Sequence, residues 1–241
     1  MLPLKDLNPT RRVPVVTYLL IAANALVFVW LWLQPEAELQ SLFSRLSVVP
    51  ANVIENPLAV DNILDLFRSM FFHGGWAHLL GNMLYLWLFG DNIEDRMGVV
   101  LYLVLYFFSG IAASIAQIVI DPGSTIPMIG ASGAIAGVLG GYLIMFPGVR
   151  VRGIIPLGFF SRSVEWPAWI VLGMWFVMQL FSGFLSLGAQ TGATGGVAFF
   201  AHIGGFVAGL VLTWIFMKLV PQPPPDRRRD ILYERARRYR Y

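Results

Sequence analysis

The sequence predicts an all-α, polytopic membrane bundle of six transmembrane helices with both termini in the cytoplasm. Three observations predict it. Only 13% of residues are charged and 57% are hydrophobic, whereas a soluble domain carries about 25% charged residues. The hydrophobic residues gather into six apolar stretches. The lysines and arginines fall on alternate connections between those stretches.

A spanning helix needs about 20 mostly apolar residues, and in lipid its backbone must satisfy its own hydrogen bonds. The first stretch runs from about Val13 to Leu33. It is longer than a signal-peptide core and no small-x-small cleavage pattern follows it, so it reads as a retained helix. The connection Gln34 to Gly75 carries apolar patches of its own, Val48-Val49-Pro50 and Ile63-Leu64-Asp65-Leu66-Phe67. It is expected to be partly helical and to lie at the membrane interface. The second stretch, about Trp76 to Phe89, is short and holds His78 and Asn82. The others are about Val99 to Ile120, Met128 to Phe146, Trp166 to Leu187 and Gly196 to Val220. Pro221 to Pro225 then stops the last helix, and seven arginines follow between Asp226 and Tyr241. The predicted organisation is a cytoplasmic segment at 1–12, a membrane domain at 13–220 and a Pro/Arg-rich cytoplasmic tail at 221–241.

Orientation follows from the basic residues. One side of a six-span chain would hold Lys5, Arg11, Arg12, Arg96, Arg150, Arg152, Arg162, Lys218 and the tail arginines, and the other only Arg45 and Arg68. Cytoplasmic connections carry the excess of Lys and Arg, so the first side is expected to be cytoplasmic. An odd number of spans would split the basic N-terminus from the basic tail. The absence of cysteine excludes disulfides, thiolate nucleophiles and cysteine-ligated metals.

Polar groups in membrane helices are costly and face the bundle interior, and here they cluster. His78 and Asn82, four residues apart, share one helical face. Ser132 opens the fourth helix within Gly130-Ala131-Ser132-Gly133, and His202 lies near the start of the sixth within Ala201-His202-Ile203-Gly204-Gly205. The second, fourth and sixth helices all start from the non-cytoplasmic side, so their first turns share one depth. Gly133, Gly137 and Gly141 are spaced to allow close helix packing, as are Gly205 and Gly209. A serine on such a helix comes within reach of an imidazole able to take its proton at neutral pH. His78 and Asn82 offer N–H donors to a developing oxyanion.

Blander readings exist for each feature. A lone membrane serine such as Ser109 or Ser114 usually bonds its own i−4 carbonyl. Small-xxx-small spacing is common in helix packing, and a lone histidine also serves structure or proton relay.

Four motifs together are more specific. His73-Gly-Gly-Trp-Ala-His78-Leu-Leu-Gly-Asn82, Gly90-Asp-Asn-Ile-Glu94-Asp-Arg-Met-Gly98, Gly130-Ala-Ser132-Gly133 and Ala201-His202-Ile-Gly-Gly205-Phe-Val-Ala-Gly209 resemble, in order and spacing, those of the rhomboid family of intramembrane serine proteases. The likeness covers roughly residues 13 to 220. It implies a bacterial-type six-helix core, in the plasma or inner membrane if the source is bacterial, that cuts transmembrane protein substrates near their outer ends. It implies Ser132 as nucleophile, His202 as general base in a two-residue dyad, and His78, Asn82 and the Ser132 N–H as the oxyanion hole. Gly130, Gly133, Gly137, Gly205 and Gly209 would support the packing. No Asp or Glu lies near His202 in sequence to orient it. A packing aromatic from the fourth helix is the alternative, but its only tyrosine, Tyr142, lies ten residues and nearly three turns beyond Ser132 and stays outside the site. Glu94 is expected to bond backbone at a helix end, and His73 reads as a connection residue. The first connection departs from the family's Trp-Arg pair, reading Phe67-Arg68.

No cofactor is expected, and no metal, because two helix histidines without cysteine or HExxH make a poor zinc set. Lipid is the expected surroundings, and the arginine-rich tail reads as a topology signal that meets anionic lipid. Nucleic-acid binding has no other support. A catalytically inactive client-binding relative would lack the serine or the base, and this chain has both. A small transporter would show repeated halves, which are not seen. No feature sets an oligomeric state.

Overall fold

The computed structural model describes residues 1–157, 160–187 and 198–219; the expected tail at 221–241 lies outside them. The chain is mostly helical. Helix α1 (Val15–Trp32) is followed by three short helices, α2 (Glu36–Leu46), α3 (Pro50–Glu55) and α4 (Val60–Arg68), and by a single 3₁₀ turn at Ser69–Phe71. The long connection is thus partly helical, as its apolar patches suggest. Five further helices follow, α5 (Trp76–Met97), α6 (Val99–Ile120), α7 (Ser132–Met145), α8 (Ala168–Leu187) and α9 (Phe199–Phe216).

Four of these, α1, α6, α8 and α9, are long and apolar enough to cross a membrane. Helix α7 is shorter, with 14 residues, or about 21 Å at 1.5 Å per residue. It sits at the centre of the bundle, with every residue from Gly133 to Tyr142 buried. Helix α5 continues past the predicted end at Phe89 for two more turns. Those turns carry Asp91, Glu94, Asp95 and Arg96, which hydropathy alone reads as a connection.

Glu94 explains that extension. It is buried, and its carboxylate accepts hydrogen bonds from the backbone N–H groups of Val16 at 2.9 Å and Thr17 at 2.8 Å, and from the Thr17 hydroxyl at 2.8 Å. The first N–H groups of a helix have no partner within it. Here a neighbouring helix supplies one, together with a negative charge at the positive end of the dipole.

The all-α expectation fails at one place. Strands β1 (Leu2–Asp6), β2 (Arg150–Leu157) and β3 (Phe160–Pro167) form an antiparallel sheet in the order β1-β2-β3. It pairs the N-terminal segment with the connection between α7 and α8, setting Leu2 opposite Ile154 and Arg152 opposite Glu165. The period-two pattern is present locally, since Val151 is buried and Arg152 exposed. The strand that pairs with it lies almost 150 residues away, and that pairing has no local signature. The sheet is tied to the helices through Asp6, which accepts hydrogen bonds from Tyr142 at 2.9 Å and Asn92 at 2.8 Å.

Candidate functional site

The site lies at the end of the bundle opposite the sheet, where α5, α7 and α9 begin. Its central contact joins residues 70 apart. Ser132 opens α7, His202 lies in the first turn of α9, and the imidazole Nε2 is 2.8 Å from the serine Oγ.

Glycine makes that distance attainable. A Cβ on Gly205 would strike the carbonyl oxygen of Gly133, and one on Gly209 would strike that of Gly137. The α7 and α9 backbones therefore touch directly beneath the Ser–His pair. On its other side, Gly133 faces the Ala113 methyl of α6, which an added Cβ would approach to 2.5 Å. Short side chains then span what remains of the gap.

Gly130 is required twice. Its φ is +124°, a backbone conformation that side chains disfavour, and a Cβ there would lie 2.7 Å from Nε2 of His78 and 3.6 Å from Oγ of Ser132. The His78 ring thus lies against the loop that leads into Ser132. That loop is held from the first connection. The Gly130 N–H donates to the Ser69 carbonyl at 2.9 Å, and the Met128 N–H donates to that of Val48 at 2.8 Å. The first connection docks without the family's tryptophan, through Phe67 on Phe107 of α6 (centroids 5.9 Å apart), while Arg68 pairs with Asp65 at 3.1 Å.

Asn82 is buried one turn beyond His78, and its Nδ2 stands 2.9 Å from Nε2 of His73. An amide nitrogen only donates, so the histidine nitrogen accepts. His73 lies before α5, is 2% exposed, and packs edge-on to His78 with ring centroids 5.0 Å apart. Burial, with His78 nearby, pushes its pKa down to about 4, so it is neutral at ordinary pH and able to accept. His73 lies in the connection before α5, as the sequence predicts. Gly74-Gly75 turns the chain so that it folds back on Asn82, a contact that spacing alone does not reveal.

Two further residues escaped the sequence reading. Gln179 of α8 places its Oε1 2.8 Å from Nδ1 of His202, and the Trp175 ring lies 6.1 Å from the same imidazole at an interplanar angle of 37°. Tyr142, set aside from the site, is indeed remote from it, bonded to Asp6 at the sheet end. Ser114 bonds the Gly110 carbonyl at 3.2 Å, the i−4 pattern expected of a structural serine. A cavity of about 40 Å³ opens beside Ser132, lined by Met70, Gly110, Ala113, Met128 and Ile129 among others. It has room for water or a small side chain. The stretch Ser186 to Gly196 is polar and glycine-rich and precedes His202, a composition and position that in the sequence predict a mobile cap over the site; from 188 onward it lies outside the described residues.

A helical bundle with several apolar spanning helices and a serine–histidine contact at one end defines an integral, multi-pass membrane protein. Its family follows from comparison. A family model for the rhomboid domain matches residues 61–219, and the chain belongs to the rhomboid family. Among similar proteins, "Rhomboid protein 1, mitochondrial" of Saccharomyces cerevisiae is 29% identical over 170 residues, covering 67% of this chain and 44% of that protein. Rhomboid protease GluP of Bacillus subtilis is 36% identical over 131 residues, covering 54% of this chain and 24% of that protein. RHOMBOID-like protein 4 of Arabidopsis thaliana is 31% identical over 152 residues, 63% of this chain and 34% of its own. The chain spans less than half the length of each of these three relatives.

Proposed function

We propose that this protein is an intramembrane serine endopeptidase that hydrolyses peptide bonds in or near the transmembrane segments of other membrane proteins. The observation that carries the reading is the 2.8 Å contact between Ser132 Oγ and His202 Nε2. It is the separation a nucleophile and its base require. In this reading the Ser132 hydroxyl attacks the substrate carbonyl as its proton passes to His202 Nε2. The tetrahedral oxyanion receives hydrogen bonds from His78, Asn82 and the Ser132 N–H. His202 then returns the proton to the departing amine, and water repeats the sequence on the acyl-enzyme.

The membrane arrangement belongs to the same proposal. Helices α1, α5, α6, α7, α8 and α9 are the six spans, both termini are cytoplasmic, and the domain at 13–220 is flanked by a short N-terminal segment and the basic tail. The placement of the N-terminal strand and the α7–α8 connection in one sheet supports their sharing a side. So does the concentration of Lys and Arg on that side. Helix α7, about 21 Å long, is shorter than the roughly 30 Å hydrocarbon core, which supports a start for Ser132 below the membrane surface.

Labelling with a serine-directed fluorophosphonate tests the site, together with cleavage of a single-span substrate in proteoliposomes. Wild type should label and cleave. Ser132→Ala and His202→Ala should each abolish cleavage, and the double variant should be no worse, because the pair acts as a unit. Asn82→Ala should retain activity reduced by about 10² to 10³. Wild-type cleavage by purified Ser132→Ala would overturn the assignment.

A further inference from the structure

We infer that Gln179 is a positioning residue for His202, its carboxamide oxygen holding the Nδ1 proton so that Nε2 faces Ser132 as the proton acceptor. The inference rests on the Ser132–His202 reading above. A neutral imidazole carries one proton on two nitrogens. If Nε2 is to take the serine proton it must be bare, and the ring proton must then sit on Nδ1 and find an acceptor. Gln179 Oε1, at 2.8 Å, is that acceptor. Among the described residues no carboxylate bonds His202; its two ring nitrogens meet Ser132 and Gln179.

Trp175 completes the support. It precedes Gln179 by one helical turn, so both project from one face of α8. Its ring lies tilted against the imidazole and also packs on Phe206, with centroids 5.8 Å apart. One turn of α8 therefore holds the base by a hydrogen bond and by a ring face.

The amide works differently from a carboxylate. It brings no full charge, so its main effect is to select the tautomer. The opposite orientation, with the amide N–H toward Nδ1, would leave the ring proton on Nε2 and the serine without a base. Once Nε2 has taken the serine proton the ring is cationic, and the Nδ1–H···O bond becomes charge-assisted and stronger. The interaction thus favours the transition state over the ground state, as acceleration requires.

The test uses the full-length protein in proteoliposomes, with Gln179→Leu removing the acceptor and Gln179→Glu keeping one. Gln179→Leu should fold normally yet cleave and label about 10- to 100-fold more slowly, the worth of one hydrogen bond to a charged group. Gln179→Glu should restore cleavage, with the acid limb of its pH–rate profile moved to higher pH because a carboxylate favours the imidazolium. The chain has three histidines, so ¹⁵N-histidine spectra are assignable by the loss of one signal in His202→Ala. Wild type should show His202 protonated at Nδ1 and bare at Nε2, and Gln179→Leu should shift that balance. If Gln179→Leu does not fold, Gln179→Met replaces it at similar length. Wild-type cleavage rates and an unchanged tautomer in the Leu or Met variant would overturn the inference. A wild type that neither cleaves nor labels would overturn the protease reading instead, while its spectra would still decide whether Gln179 sets the ring.

Discussion

Gly130→Ala puts a methyl group where the backbone has a φ of +124° and where His78 already stands. Two costs follow. Alanine at such a backbone position is strained by about 1–3 kcal/mol. The new Cβ would also lie 2.7 and 2.8 Å from Nε2 and Cε1 of His78, so the ring must withdraw, whereas Ser132 Oγ at 3.6 Å is in ordinary contact and stays. Set against a stability of about 5–15 kcal/mol, the strain leaves the protein folded. The rate should nonetheless fall by about 10² to 10³, the worth of one oxyanion donor. The assay is cleavage of a single-span substrate in proteoliposomes, with fluorophosphonate labelling and thermal unfolding alongside. A double variant with His78→Ala should cost little more than either change alone, because both remove the same interaction. Wild-type cleavage by Gly130→Ala, or full additivity in the double variant, would refute the placement of His78 at the oxyanion.

Glu94→Ala strands the two buried backbone N–H groups of Val16 and Thr17, while the Thr17 hydroxyl keeps Tyr102 as a partner at 3.1 Å; at about 1–3 kcal/mol per orphaned group it should lower stability in mild detergent by ~2 kcal/mol or more, and a loss under ~1 would contradict the capping role. Gly205→Val drives side-chain atoms into the Gly133 carbonyl, so it should reduce both the melting temperature and cleavage; an unaffected protein would mean that α7 and α9 do not touch there. Burial, and next the Asp91 carboxylate, push the Asp6 carboxyl up to about 7. The folded chain then binds more protons than the unfolded one between about pH 4 and 7, so this group's contribution to stability falls as pH rises through that window. His73, held down to about 4, acts with the opposite sign between about pH 4 and 6.5, so the Asp6 effect is read as the difference in melting temperature between wild type and Asp6→Asn. That difference should grow in favour of Asp6→Asn as pH rises, and a flat difference would refute it. Replacing both Arg152 and Glu165, an exposed pair at 2.7 Å, should change stability by less than about 1 kcal/mol.

What could be read without coordinates was whatever is encoded locally. Long apolar runs gave the helices because lipid leaves a backbone few other ways to satisfy itself. The period of a helix put His78 and Asn82 on one face, and short glycine-bearing motifs pointed to Ser132 and His202, which the structure brings to 2.8 Å of each other. The shared starting end of α5, α7 and α9 followed from counting spans. The remainder depends on partners distant in the chain or hidden by a turn. The sheet joins Leu2 to Ile154, and Asp6 reaches Tyr142 across 136 residues. His73 returns to Asn82 through Gly74-Gly75. No acid lies near His202 in sequence, and the tyrosine of α7, Tyr142, lies almost three turns beyond Ser132. The structure instead supplies a neutral amide and an indole from α8, Gln179 lying 23 residues away. A glutamine in an apolar helix carries no local mark of what it touches; the packing of α8 against α9 decides that its oxygen meets an imidazole nitrogen and not lipid.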